Sequence, residues 1–360
     1  RVKAIIESDK DRKYIVVSAP GKRYSGDIKI TDVLYECHKE VAQKGVCGAA
    51  FQLIRNRFTS IVKELGIDFD IQPVLDETEK RINSENDEDF TASRGEYLSA
   101  RVMAEVLGAK FIAAEDVIFF DKNGAYDAER SDKAINEALR GVEKAVFPGF
   151  YGRGANGKVK TFSRGGSDIS GAIVARAVNA TLYENWTDVS GFLACDPRIV
   201  DSPKRIKSLS YKELRELSYM GANVLHSESI FPVRKANIPI HIKNTFRPED
   251  DGTLIQPSVY YTPSGSIVTG IAGKKDFTVI FIEKSLMNSQ IGFVRKVLSV
   301  LEHAGVPVEH IPSGIDTMSV VVESSALKNG KLEVVLQGIK EAVQPDTLRV
   351  TEDIALIATV

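Results

Sequence analysis

The sequence predicts an α/β protein: a three-layer unit built on a parallel sheet, followed by a smaller ferredoxin-like unit. Three observations carry that expectation. Strand-length apolar runs alternate with helical stretches up to about residue 243, the rhythm that lays a parallel sheet between helical layers. A turn-rich segment, 245–253, interrupts it with Pro248, Asp250, Asp251 and Gly252. Beyond it the order becomes strand, helix, strand, strand, helix, strand, the split βαβ arrangement.

Each element follows from its residues. Residues 2–6 read as the end of an amphipathic helix and 14–19 as a strand. Residues 23–108 read as mostly helical. One helix starts at Ile30, and 41–65 carries apolar residues at helical spacing. The polar run 84–89 reads as a solvated loop, and Arg94 as entering the next helix. Glu96 by itself reads as a first-turn glutamate favoured by the helix dipole. Later come a helix at 169–178 and a strand at 180–186. The last six elements are strand 277–283, helix 291–303, strands 308–311 and 318–322, helix 331–343 and strand 347–350.

Composition narrows the function classes. The 360 residues suffice for two or three domains. Lys and Arg total 47 against 49 Asp and Glu, a net charge of −2, so no basic footprint for nucleic acid or anionic membrane exists. Cys37, Cys47 and Cys195 form no CxxC pair and read as reduced thiols; the five histidines show no ligand spacing, so no resident metal is expected. No apolar run reaches membrane-span length and no signal peptide opens the chain, so the expected location is cytoplasmic.

The stretch Ser163-Arg164-Gly165-Gly166-Ser167-Asp168 carries the most chemistry. A glycine-rich turn opening a helix presents backbone N–H groups and the positive end of a dipole, which suits an anion. Arg164 adds a planar fork for carboxylate or phosphate. A tight turn with an ordinary N-cap accounts for the same residues. Spacing favours a site: Thr187 and Asp188 fall at the C-terminal end of the next strand, where open α/β sheets bind ligands. Asp188 and Asp196 are candidate ribose, magnesium or hydrogen-bonding groups, and Arg198 a candidate phosphate contact.

These segments occur in order with Val16-Val17-Ser18-Ala19-Pro20-Gly21-Lys22, Ser93-Arg94-Gly95-Glu96, Pro148-Gly149-Phe150-Tyr151-Gly152, Trp186-Thr187-Asp188-Val189-Ser190-Gly191-Phe192, Asp196-Pro197-Arg198-Ile199-Val200 and Met220-Gly221-Ala222-Asn223-Val224-Leu225-His226. The ordered set covers nearly the whole chain and resembles the aspartokinases, of the amino-acid-kinase fold. The resemblance implies a kinase domain at 1–262, an ACT regulatory module at 263–350 and the start of a second at 351–360. It implies ATP with Mg2+ and L-aspartate as substrates, and 4-phospho-L-aspartate as product, the first step towards lysine, threonine and methionine. Arg164 and Asp168 would be catalytic, with Thr31, Glu96, Phe150, Arg164 and Ser167 around the substrate. Thr187, Asp188, Leu193, Arg198, Asn223 and Val224 would hold the nucleotide. Relatives begin with a Lys-x-Gly-Gly-Ser/Thr strand that does not occur here, so a segment upstream of Arg1 is expected. Many carry lysine where Asn223 stands, and asparagine supplies no charge there.

In the second unit, loop amides of Met287, Ser289 and Gly292 ahead of a helix could hold an effector carboxylate, and Glu309 its ammonium. A capped helix and an edge-strand glutamate explain the same residues. Relatives are inhibited by lysine or threonine through such loops, and a homodimer or homotetramer joined by ACT units is implied. The competing function is a non-catalytic amino-acid-sensing subunit retaining the kinase fold. A kinase of glutamate, acetylglutamate, carbamate or UMP fits less well, because Glu96 with Arg164 matches a free α-amino acid.

Overall fold

The computed structural model describes residues 1–163, 166–221, 224–225, 229–258 and 268–360. They form two compact units, Arg1–Thr269 and Gly270–Val360. The first runs α1 (Val2–Glu7), β1 (Tyr14–Val17), α2 (Ile30–Lys44), α3 (Gly48–Leu65), α4 (Gln72–Glu85), α5 (Glu88–Leu107), β2 (Lys110–Phe111), α6 (Ala114–Val117), α7 (Ala128–Ala138), β3 (Ala145–Pro148), β4 (Tyr151–Arg153), β5 (Val159–Thr161), α8 (Gly166–Ala177), β6 (Tyr183–Thr187), β7 (Ser208–Ser210), α9 (Tyr211–Tyr219), α10 (Phe231–Lys235), β8 (Ile240–Asn244) and β9 (Thr253–Gln256).

The expected helical stretch 41–65 is two helices. Gly45 adopts φ 80°, a left-handed conformation that ends α2, and the chain restarts at Gly48. The charged run 84–89 is a helix junction and not an open loop. Asn86 ends α4 in the left-handed region, and Asp87 caps α5 by accepting the Phe90 N–H. Helices α2 to α5 share one apolar core in which Leu34, Phe51, Ile54, Leu75, Ile82 and Leu98 are fully buried.

Strands β1, β3 and β2 form a parallel sheet in that order. A second sheet has the order β6-β8-β9-β7, with β8 antiparallel to β9 and the other neighbours parallel. The turn-rich segment 245–252 therefore leads into a further strand of the first unit. Strands β4 and β5 form a hairpin. A cavity of about 920 Å³ is lined by residues 14–17 of β1 and 183–186 of β6, with Val102 and Met103 of α5 and Val174 of α8. At one end Arg12 crosses to Glu184, donating to Oε2 at 2.6 Å and Oε1 at 3.0 Å, with its guanidinium 5.3 Å from the Trp186 ring centre. At the other end the cavity reaches Ser18, Pro20, Ser167 and Asp168.

The second unit comprises β10 (Ile271–Glu283), α11 (Phe293–His303), β11 (Thr317–Glu323), α12 (Lys331–Val343) and β12 (Thr347–Thr359). Strand β10 lies between β11 and β12, antiparallel to both. Val297, Leu301, Val335 and Ile339 of the helices pack on Ile280, Ile282, Met318, Val320 and Val322 of the sheet. The expected strand 308–311 is reduced to bridges at His310↔Val321 and Ser313↔Met318. Pro307 and Pro312 bracket it, and proline cannot donate to a ladder. Its place beside β11 still gives the split βαβ order. Residues 354–359, expected to open another module, continue β12 here and pair with 271–277.

Candidate active site

Several chain ends converge at the start of α8. The first-turn amides of a helix have no intrahelical acceptors and sit at the positive end of its dipole. Ser167 and Asp168 occupy that turn. The end of β3 meets it backbone to backbone: a Cβ on Gly149 would lie 2.3 Å from Ser167 Oγ and 2.7 Å from its Cα. The next residue, Phe150, holds φ 78°, a region costly for any side chain. Its N–H donates to Ser170 Oγ at 2.9 Å, and its carbonyl accepts from Phe162 at 2.9 Å. Gly149 N–H donates to Val17 O at 2.9 Å, so the end of β1 is tied to the same corner.

Glu96 approaches from α5. It lies in the middle of that helix, not in its first turn, because the helix begins at Glu88. Its environment is therefore burial and not the dipole: the residue is 7% exposed. Gly95 beside it permits close contact, since a Cβ there would lie 2.8 Å from Ala19 Cβ. Burial pushes the Glu96 carboxyl up to about 7, while the Ala19 N–H and the Arg94 charge act in the opposite direction. Its Oε2 is buried without a hydrogen-bond partner, as is Ser167 Oγ. Thr31 stands in the first turn of α2.

Arg164 and Asn223 lie outside the described residues. Asp168 is described, and its Oδ1 accepts from Asn185 Nδ2 at 2.8 Å. Arg94, noted in the sequence only as part of a motif, is 1% exposed. Its guanidinium lies 4.2 Å from the Phe90 ring centre, 4.6 Å from Tyr97 and 5.1 Å from Tyr151. Glu115 completes this buried cluster at 3.9 Å.

A second group of candidates follows β6. Thr187 and Asp188 close the strand, with 3.2 Å between Thr187 Oγ1 and Asp188 Oδ1. The Thr187 carbonyl accepts from Thr245 at 2.8 Å, and Asn244 Nδ2 donates to Asp188 O at 3.3 Å and to Ser190 Oγ at 2.9 Å. Phe192 N–H donates to the buried Thr253 Oγ1 at 2.8 Å. Leu193 bridges Arg205 across the loop. Arg198 reaches Asp196 at 2.6 Å, which holds the Asp196 carboxyl down to about 2, and its side chain is 83% exposed. Val224 is half-buried. The candidates thus fall into an anion-suited helix start, a buried carboxylate on α5, and a polar loop braced by β8 and β9.

The sequence model of the Amino acid kinase family matches residues 1–244. Aspartokinase 3 of Bacillus subtilis is 36% identical over 370 residues, covering 99% of this chain and 81% of its own length. The chain belongs to the aspartokinases of the amino acid kinase family.

Among solved aspartokinases, the Clostridium acetobutylicum aspartate kinase superposes with a TM-score of 0.89 at 53% identity, covering all of this chain and 81% of its own. E. coli aspartokinase III in complex with aspartate and ADP has a TM-score of 0.72 at 22% identity, a likeness of fold. The first unit has the amino-acid-kinase fold, and the second the ferredoxin-like form of ACT regulatory modules. In that second unit of the aspartokinase, Met287 and Ser289 form a 3-10 turn and Gly292, at φ 79°, precedes α11. Glu309 N–H donates to Val321 O at 2.9 Å. Among the described residues there is no group of three side chains able to hold a metal ion, and no helix long and apolar enough to cross a membrane. The chemistry-bearing residues that sequence reading passed over are Asn185, Tyr183 and Arg94. Each occupies a strand or helix interior, where spacing alone marks it as structural.

Proposed function

We propose that this aspartokinase transfers the γ-phosphoryl group of ATP to the side-chain carboxylate of L-aspartate, giving 4-phospho-L-aspartate and ADP. The observation that carries this reading is Glu96: a buried carboxylate with an unpartnered oxygen, held against Ala19, whose neighbours Ser18 and Pro20 line one cavity with Ser167 and Asp168 of the anion-suited helix start. Glu96 would pair with the substrate ammonium. Arg164, two residues ahead of α8 in the sequence, would clamp the α-carboxylate, and Thr31, Phe150 and Ser167 would line the pocket. Thr187, Asp188, Leu193, Arg198, Asn223 and Val224 would hold the nucleotide.

The reacting carboxylate is already ionised at neutral pH, so it needs no general base. One of its oxygens forms the bond to the γ-phosphorus while the bond to the ADP oxygen breaks. Alignment and charge neutralisation supply most of the acceleration. The first-turn amides of α8 suit the transferred group, and Asp168 at that turn would orient it. A magnesium ion brought with ATP would neutralise phosphate charge, and Asp188 is a hard oxygen donor of the kind that would hold it.

The same reading assigns 1–262 to catalysis and 263–350 to regulation, with 351–360 leading towards a further ACT module. An end-product amino acid, lysine or threonine, would inhibit through Met287, Ser289, Gly292 and Glu309, with ACT units joining at least two subunits. Arg164→Ala tests the catalytic part. Losing one partner of a buried charge pair costs about 2–5 kcal/mol, so the aspartate KM should rise steeply while calorimetric ATP affinity stays put. Unchanged aspartate kinetics would remove Arg164 from the site.

A further inference from the structure

Asp168 is held by a closed ring of hydrogen bonds that no motif records. The Tyr183 hydroxyl donates to the Asp168 backbone carbonyl at 3.1 Å. Asn185 Nδ2 carries two hydrogens and uses both: one reaches Asp168 Oδ1 at 2.8 Å, the other the Tyr183 oxygen at 3.2 Å. Tyr183 and Asn185 are two apart on β6, so both project to the same side of the sheet. Asn185 is 8% exposed. The ring depends on Gly171, one turn along α8 from Asp168: a Cβ there would lie 2.5 Å from the Tyr183 hydroxyl oxygen. A residue other than glycine would push Tyr183 off the helix.

We infer that Asn185 is a positioning residue for phosphoryl transfer, fixing the direction in which the Asp168 carboxylate faces the reacting phosphate. The inference rests on the assignment of Asp168 to the catalytic centre. A carboxylate at the first turn of a helix can rotate about its side-chain torsions, and a buried donor fixed on a strand restricts which orientation it takes. Buried donors are seldom left idle, and here both Asn185 hydrogens are spent on one neighbour and its brace. Misplacing a catalytic group by about 1 Å can cost on the order of 100-fold in rate.

Asn185→Leu in the full-length enzyme removes both hydrogen bonds. The expected result is a kcat lowered on the order of 10- to 100-fold, with aspartate and ATP KM values within about twofold of wild type. Asn185→Asp supplies a second reading. Among the described residues, the titratable groups hydrogen-bonded to Asn185 are the Asp168 carboxylate from α8 and the Tyr183 hydroxyl from β6, the latter kept protonated by burial. Opposite, β8 presents the uncharged Ile240, Ile242 and Asn244. Two carboxylates in contact share a proton, and the carboxyl group introduced by Asn185→Asp, when protonated, donates as the asparagine amide does. The Asn185→Asp variant should therefore recover kcat towards the acid side and lose it as pH rises, whereas the Asn185→Leu variant should stay low throughout.

The idea is overturned by Asn185→Leu turning over within about twofold of wild type, by kcat and both KM values shifting together, or by an Asn185→Asp variant whose kcat relative to wild type does not change with pH. If the Asn185→Leu variant does not fold, the Asn185→Asp profile decides. Asp168→Ala separates the underlying reading: near-normal kcat in that variant removes Asp168 itself from catalysis, while a collapsed kcat there beside a normal Asn185→Leu removes Asn185 alone.

Discussion

Glu96 shows how one buried side chain sets a pH response. Its carboxyl is raised to about 7 by burial. The folded value lies above the unfolded one, so ionising Glu96 opposes folding, and that cost grows as pH rises from the ordinary glutamate range through about 7. Binding an ammonium needs the ionised form. The expected outcome is that kcat/KM for aspartate falls as pH drops below about 7, and that Glu96→Gln raises KM and flattens this limb. A wild-type profile independent of pH from two units below that value to one above it would contradict the assignment. Arg198 is a different case, because it is exposed and already paired with Asp196. If it turns to phosphate when ATP binds, Arg198→Ala should weaken ATP about tenfold, the value of a hydrogen bond to a charged group. Identical calorimetric titrations would make Asp196-Pro197-Arg198 a turn and nothing more.

At the scale of elements, the site depends on how closely β3 approaches α8. Gly149 has no room for a methyl group, because Ser167 Cα stands 2.7 Å from where it would sit. Gly149→Ala should separate the two elements, lower stability by about 1–3 kcal/mol and reduce turnover together with it. Denaturant unfolding and steady-state kinetics on the same variant check both; an active variant of wild-type stability would show that the corner can open without cost. Periodicity read the helices of this region correctly in kind and missed their junctions. Apolar spacing continues across Gly45, and a charged run looks alike in a loop and across the cap at Asp87. Glu96 was misread for the same reason: the start of α5 is set by Asp87, well ahead of the motif around Arg94.

At the scale of the whole molecule, each unit carries its own core, so each can be tested alone. Residues 270–360 bury Ile280, Val320, Val335 and Ile339 within one layer of helices on one sheet. Expressed separately they should unfold cooperatively. In the proposed scheme, ending the chain after Thr269 should leave a kinase that lysine and threonine no longer inhibit. Glu309→Ala in the full-length enzyme should raise the effector concentration needed, since an effector acts only through its differential affinity for two states. Inhibition curves of equal potency for that variant and wild type would put the effector site elsewhere, and a strictly monomeric protein by light scattering would count against shared ACT interfaces.

The sequence by itself determined the class of the fold, the order of its elements and the family, because alternation of apolar runs and the ordered glycine-rich motifs are local properties of the chain. It also marked Ser167, Asp168, Thr187 and Asp188, whose positions at element ends follow from spacing. Tertiary structure alone decided that β1 and β6, from separate sheets of the first unit, line a common cavity, that 308–311 meets β11 only through isolated bridges, and that 354–359 lengthen β12. It alone joined Asn185 and Tyr183 to Asp168, and buried Glu96 against Ala19. These are meetings between residues far apart in the chain, governed by which surfaces exclude water together, and no local pattern encodes them.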